Sequence, residues 1–356
     1  MSIPRRIRVL VVDDSAFMRK VIGDILSADQ GIEIVGKARN GDEAMAKLKD
    51  LSPDVITLDM EMPGKNGLEV LRGIMKEKPT PVIMVSSLTK DGANVTMQAL
   101  SAGAVDFVTK PSGTISLDME KVGDELRQKI MAASKASMKN AYGSGDDRSH
   151  KGHASLAQTS QKREMQKRPE LVLIASSTGG PNALQEVIPG LSSDFPLPIL
   201  IVQHMPSGFT TSFANRMNEL SMISVAEACD GMQIKKGMAI IAPGGYHLTV
   251  ERTPVSLVCR LKETPPVRSV RPSADVLFSS VSEVVGGSVV VVVLTGMGKD
   301  GLDGTRLLRS MGAYVIAESK ETCVIYGMPG AVSEAGLVDE SLPVYSITEA
   351  LERIAR

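Results

Sequence analysis

The stretch "SSTGGP", residues 176–181, follows an apolar run of Leu171, Val172, Leu173 and Ile174. Hydroxyls and glycines between a strand and a helix admit two chemistries. Backbone N–H groups at a helix N-terminus can cradle a phosphate, or one serine can be a nucleophile activated by a nearby base. The phosphate reading lacks its usual companions, since there is no G-x-G-x-x-G, no P-loop lysine and no acidic ribose contact at the expected distance. A nucleophile needs a base, and the chain has four histidines, His150, His153, His204 and His247. His204 leaves the apolar run "PILIVQ", and Asp300 lies in "TGMGKDG" just after the valine run "SVVVVVL". A serine, a histidine and an aspartate at the carboxyl ends of buried strands are what acyl transfer requires. Imidazole takes the hydroxyl proton, and the carboxylate fixes its tautomer. The pattern does not separate Ser176 from Ser177. Taken singly, Asp300 also fits a helix N-cap, and His247 is the second candidate base or a cleft residue. The order Ser, His, Asp, without G-x-S-x-G, matches none of the familiar serine-hydrolase arrangements.

A second constellation lies in the first half. Asp13 and Asp14 follow one apolar run, Asp59 ends another, and Ser86 and Lys110 close two more. Crowded carboxylates are unfavourable without a cation, and oxygen ligands with water suit Mg²⁺. Lys110 and the Ser86 hydroxyl are then placed to neutralise and hydrogen-bond an added phosphoryl group.

The elements that must position these residues alternate regularly. Apolar runs at 7–12, 54–58, 81–86 and 105–109 predict buried strands, and 32–36 predicts an edge strand. Phe17, Val21, Ile22 and Ile25 fit one helical face, as do Leu126 and Ile130. Alternating strands and helices imply a doubly wound five-stranded parallel sheet, with ligands beyond the carboxyl ends of its strands. The second half predicts strands at 171–175, 198–203 and 288–294, and an antiparallel patch through 238–243, 246–251 and 256–262. Helices are expected at 181–188, 209–219, 273–285, 300–311 and 347–355. The fold class is therefore α/β, with a second, three-layer α/β domain carrying an antiparallel hairpin addition. Between the halves, residues 139–169 are rich in Gly, Ser, Lys and Gln and hold His150 and His153, which reads as a linker. The expected division is 5–125, a linker over 126–168, and 169–356.

Composition excludes several classes. With 40 Lys plus Arg against 41 Asp plus Glu, the formal net charge of −1 leaves no basic footprint for nucleic acid. Aromatics are 3% of residues and Trp is absent, which argues against a base-stacking surface. A DNA-binding output would need a helix-turn-helix or winged-helix tail with a basic face, and a non-catalytic scaffold would not react with a serine-directed phosphonate. The N-terminal apolar run is too short for a signal peptide or membrane span, so the expectation is a cytoplasmic protein without membrane insertion. Cys229, Cys259 and Cys323 show no CxxC spacing and read as buried thiols.

Over residues 5–125, the acidic set together with "MPGKNG" (62–67) resembles the receiver domain of two-component response regulators. That resemblance implies that Asp59 accepts phosphate from a histidine kinase, with Asp13, Asp14, Asp59 and the backbone of Glu61 holding Mg²⁺. Ser86 and Lys110 would sense the phosphoryl group, and Phe107 fills the place of the switch aromatic. In the second half "STGGP", "QHMPSGFTTSFANRM", "IAPGGYHL", "PPVRSVRPSADVLF", "LTGMGKDG" and "YGMP" resemble the chemotaxis methylesterases of the CheB family. The resemblance implies a phosphorylation-activated hydrolase that demethylates glutamyl methyl esters and deamidates glutamines on chemoreceptors, with no cofactor for the esterase. By motif position the nucleophile is Ser177, the base His204 and the orienting carboxylate Asp300. Thr178 and Met297 line the site, the Met297 N–H as an oxyanion donor. The glycines of "SSTGGP" are then expected to serve backbone approach to the oxyanion, and the unphosphorylated receiver to limit access to the cleft. Ala175, Gly245 and Val270 depart from the family's usual Gly, Asp and His at those places.

Overall fold

The computed structural model describes residues 5–110, 117–136 and 168–356, and the chain divides into two compact units after Met138. His150 and His153 lie outside the described residues. In the first unit, strands β1 (Ile7–Val12), β2 (Ile32–Ala38), β3 (Val55–Asp59), β4 (Val82–Ser86) and β5 (Asp106–Thr109) alternate with helices. The helices are α1 (Ala16–Ser27), α2 (Gly41–Leu51), α3 (Gly67–Glu77), α4 (Lys90–Ser101) and α5 (Leu117–Ala133). The strands pair in parallel in the order β2-β1-β3-β4-β5. Strands β3 and β4 are buried at every position, as a sheet covered on both faces demands, whereas the edge strand β2 is only partly so. Four of the helices start alike. Ser15, Asn40, Asn66 and Thr89 sit in extended conformation and accept a hydrogen bond from the N–H three residues on.

The expected face of α1 needs one correction. Ile22 and Leu26 are buried, but Phe17 is 67% exposed. At 100° per residue Phe17 points about 140° away from Ile22, so the stripe that meets the sheet runs through 22 and 26 without it. Helix α5 buries Leu126 and Ile130 together, as their spacing predicts, and runs on past residue 125.

The second unit has seven parallel strands in the order β14-β13-β12-β6-β7-β9-β8. These are β6 (Leu171–Ser176), β7 (Ile199–Gln203), β8 (Ser224–Glu227), β9 (Met238–Ile241), β12 (Val289–Val293), β13 (Tyr314–Glu318) and β14 (Glu340–Leu342). A separate antiparallel hairpin is formed by β10 (His247–Arg252) and β11 (Leu257–Lys262). The helices are α6 (Gly180–Val187), α7 (Phe209–Leu220), α8 (Ala274–Val284), α9 (Leu302–Ser310), α10 (Met328–Glu334) and α11 (Val344–Ala355). All five valines of β12 are fully buried, which follows from a central strand covered on both faces.

Two expectations are revised here. Residues 238–241 do not belong to the antiparallel patch, because β9 pairs in parallel with β7 through Ile199↔Ala239 and Ile201↔Ile241. Its Ala239, Ile240 and Ile241 are fully buried, which only an inner strand permits. Cys259 and Cys323 are buried, but Cys229 is exposed, beyond the short strand β8. Strands β8, β13 and β14 and helix α10 add to the expected set. The strand order reverses between β6 and β12. From β6 the chain moves outward through β7, then returns to β12 on the other side and moves outward again. In such sheets the crevice beyond the carboxyl ends at this reversal is the place for a ligand.

Candidate active site and phosphoacceptor site

Register brings the catalytic candidates together. Ser176 is paired with Gln203 across β6 and β7, so Ser177 and His204 leave neighbouring strands abreast. The His204 N–H donates to the Ser176 carbonyl at 3.1 Å, and the Ser177 N–H to the Thr295 carbonyl at 3.0 Å. Thr295 begins the loop after β12 that carries Asp300. That loop reaches over the end of β6, and Asp300 Oδ2 meets His204 Nε2 at 2.8 Å.

The two serines part here. Ser176 is fully buried and its hydroxyl donates to Gln203 Oε1 at 2.7 Å. Ser177 is half-buried. Gln203 in turn donates through Nε2 to the carbonyls of Ser177 and His204, both at 3.0 Å, and so fixes the two strand ends relative to each other. Thr178 is buried, and its carbonyl accepts from the Thr295 hydroxyl at 3.0 Å. Gly296, the neighbour of Met297, packs against Ser177: a Cβ there would lie 2.8 Å from Ser177 Cβ. The Ser177 N–H is already occupied.

Asp300 does not cap its own helix, whose N-cap is Gly301. It closes the start of α8 instead. Its carboxylate accepts from Ser273 Oγ at 2.6 Å, Ala274 N at 2.6 Å and Asp275 N at 3.2 Å, besides His204. Burial opposes its ionisation, yet the hydrogen bonds from His204, Ser273 and Ala274 outweigh it and hold the carboxyl below its ordinary range. The second candidate base, His247, is fully buried and has both ring nitrogens engaged.

The glycines of "SSTGGP" serve packing, which differs from the expectation that they admit a ligand. Gly179 has φ of 78°, and a Cβ on it would lie 2.7 Å from Val324. A Cβ on Gly180 would fall 2.1 Å from Gln203 Oε1 and 2.8 Å from Ser176 Cβ. Gly180→Ala should therefore cost about 2 kcal/mol or more in urea unfolding of the second unit, because the buried Gln203 network must shift. An unchanged midpoint would show that Gln203 can yield.

Sequence reasoning missed Gln203, Ser273, Thr295 and Glu318. Glu318 is buried at the end of β13 and accepts from Thr295 N at 2.8 Å and the Thr322 hydroxyl at 2.9 Å. Gln203 and Ser273 lie inside the motifs "QHMP" and "RPSAD", but residue type alone carries no signal of such support.

In the first unit, Asp13, Asp14 and Asp59 each place a carboxylate oxygen within 4.8 Å of the others. Asp13 Oδ2 and Asp59 Oδ2 are buried without a hydrogen-bond partner. Orphaned, close-set carboxylate oxygens fit a hard divalent cation such as Mg²⁺. Lys110 Nζ meets Asp59 Oδ1 at 2.7 Å, and the Glu61 N–H donates to the same oxygen at 3.0 Å. The Glu61 carboxylate turns elsewhere, accepting from Ser87 Oγ at 2.7 Å. Ser86 is buried and its hydroxyl faces α4, accepting from Thr96 Oγ1 at 2.8 Å. Phe107 is buried, with Lys129 Nζ 5.3 Å from its ring centroid. Gly67 lets α3 start against the end of β3, since a Cβ there would lie 2.2 Å from the Asp59 carbonyl oxygen.

Burial and the charge of Asp59 push the Asp13 carboxyl up to about 6 from 3.8. Between these values the folded chain holds a proton that the unfolded chain has lost, so stability falls as pH rises and the deficit is complete above about 6. Asp13→Asn removes that cost. With chelator present it should stabilise the first unit by about 1–2 kcal/mol at pH 7 and by almost nothing near pH 4 in urea titrations.

A five-stranded sheet in the order 2-1-3-4-5 with an acidic cluster at its rim, followed by a parallel α/β unit with Ser, His and Asp at its strand-order reversal, defines a class. It is a response regulator with an enzyme-like output domain. Two family models match, the response regulator receiver domain over residues 9–119 and CheB methylesterase over 172–351. The chain belongs to the CheB methylesterase family. It is 48% identical to the protein-glutamate methylesterase/protein-glutamine glutaminase of Halalkalibacterium halodurans, over 98% of both chains. To the protein of the same name from Oceanobacillus iheyensis it is 46% identical, over 96% of this chain and 97% of that one. The crystal structure of the Thermotoga maritima CheB methylesterase catalytic domain aligns with a TM-score of 0.52 and 42% identity, covering 53% of this chain and all of that one.

Proposed function

We propose that this protein is a phosphorylation-controlled methylesterase and glutaminase acting in the cytoplasm on glutamyl methyl esters and glutamines of methyl-accepting chemoreceptors. The relatives carry the activity in their names. The observation that carries the mechanism is the 2.8 Å bond from His204 to Asp300 beside the half-buried Ser177.

Ser177 Oγ attacks the γ-carbonyl carbon of the substrate. His204 offers Nδ1 as the base, because Nε2 is committed to Asp300, and it takes the hydroxyl proton as the C–O bond forms. Asp300 stays ionised and steadies the imidazolium, which four hydrogen-bond donors on its carboxylate favour. Negative charge on the former carbonyl oxygen is met by the Met297 N–H, with Thr178 lining the same pocket. His204 then returns its proton to the departing methoxide, which leaves as methanol, or to the departing amide nitrogen, which leaves as ammonia. Water, deprotonated by His204, cleaves the acyl-enzyme to a glutamate and restores Ser177. No cofactor enters these steps.

In the receiver Asp59 takes a phosphoryl group from the histidine kinase of the pathway. Mg²⁺, held by Asp13, Asp14, Asp59 and the Glu61 main chain, supplies neutralisation of the phosphoryl charge when bound. Lys110 pairs with the phosphoryl group, the Ser86 hydroxyl turns to it from Thr96, and Phe107 follows. Phosphorylation of the receiver thereby raises the activity of the esterase by a population shift.

Mass spectrometry of receptor peptides after incubation with the enzyme tests this reading. Glutamyl methyl esters should become glutamates, and selected glutamines should be deamidated. Receptor membranes that keep all their methyl groups with active, phosphorylated protein would overturn it.

A further inference from the structure

Among the described residues His247 is a buried imidazole with no place in the reaction sequence above, and its surroundings assign it a task. It is the first residue of β10, fully shielded from solvent. The Ser273 N–H lies 3.2 Å from Nδ1, so this nitrogen must be the acceptor. The ring proton is thereby placed on Nε2, which donates to the Pro265 carbonyl at 3.1 Å. With both nitrogens occupied, His247 cannot serve as a base.

Ser273 is the N-cap residue of α8, in extended conformation, yet its side chain does not cap its own helix. Its hydroxyl is given to Asp300 Oδ1 at 2.6 Å, and the helix is closed by Asp300 itself through Ala274 N and Asp275 N. The first turn of α8 is thus a clamp on Asp300, and Nδ1 of His247 fixes the backbone at the hinge of that clamp. We propose that His247 is a positioning residue of the esterase: it holds Ser273 so that the α8 N-terminus sets the Asp300 carboxylate against His204. The inference rests on the Ser177–His204–Asp300 reading and goes beyond it.

The proposal separates the two ring nitrogens by function. Asparagine carries an oxygen near the Nδ1 position and keeps an acceptor for the Ser273 N–H. Glutamine reaches the Nε2 position, keeping the Pro265 contact and losing Ser273. Leaving a buried N–H unpaired shifts the clamp, and each 1.4 kcal/mol so lost from the transition state is tenfold in rate. In methanol release from methylated receptor membranes by the full chain, His247→Asn should keep turnover within about threefold of the parent. His247→Gln and His247→Phe should lose about tenfold or more in kcat with KM nearly unchanged.

The same His247→Gln change made in an Asp300→Asn background should cost less than about twofold, because its effect passes through that carboxylate. If His247→Gln and His247→Phe match His247→Asn in turnover, or if the loss recurs in full without the Asp300 carboxylate, the inference is wrong. If Asp300→Asn by itself leaves turnover intact, the triad reading falls first and takes this inference with it. Should the glutamine and phenylalanine variants fail to fold, Ser273→Ala tests the next bond of the clamp, removing the hydroxyl from Asp300 while leaving the Ser273 N–H on His247. It must then lose about tenfold in kcat for the inference to stand.

Discussion

Ser177→Ala should reduce methanol release from methylated receptors by a factor on the order of 10⁴ or more, leaving only what binding and oxyanion stabilisation give without a nucleophile. The neighbouring Ser176→Ala is expected to stay active. Its hydroxyl is sealed in the core and bonded to Gln203 Oε1, so its removal frees one acceptor and loosens the turn. That should cost about 1–2 kcal/mol of stability and a modest part of turnover through the Gln203 bonds to Ser177 and His204. The paired measurement is initial-rate methanol release together with labelling by a serine-directed phosphonate. A dead Ser176→Ala beside an active Ser177→Ala would reverse the assignment. Labelling of Ser177→Ala to the parent level would remove Ser177 from the mechanism altogether.

The second large effect concerns control. Asp59→Asn should bring the ratio of esterase activity with and without kinase and ATP to about 1, since a carboxamide cannot accept a phosphoryl group. The same change relieves the charge crowding among Asp13, Asp14 and Asp59 and removes the negative charge that Lys110 pairs with. The variant is therefore expected to bind Mg²⁺ more weakly as well, measurable by titration calorimetry. A variant that still gains activity with kinase and ATP would separate regulation from Asp59.

The sequence was most legible where physical chemistry is local. The apolar runs before Asp13, Asp59 and Ser86 are strands because only a sheet covered on both faces accepts such runs, and the polar residues at their ends could only lie on one rim. The valine run 289–293 follows from the same local rule. Motif likeness supplied the family.

Tertiary structure decided what depends on which strands are neighbours and which way a side chain turns. Ser176 and Ser177 are equivalent in composition, yet the alternation of β6 sends one hydroxyl to Gln203 in the core and leaves the other at the rim. Asp300 looks like the cap of its own helix in sequence. The strand order β12-β6-β7 carries it across to His204 and to the start of α8. His247 is the second candidate base until burial and two hydrogen bonds give it a fixed proton and a structural partner. Spacing along the chain selects residues that can do chemistry. Only the closing of separate strand ends over one another determines which of them share a proton.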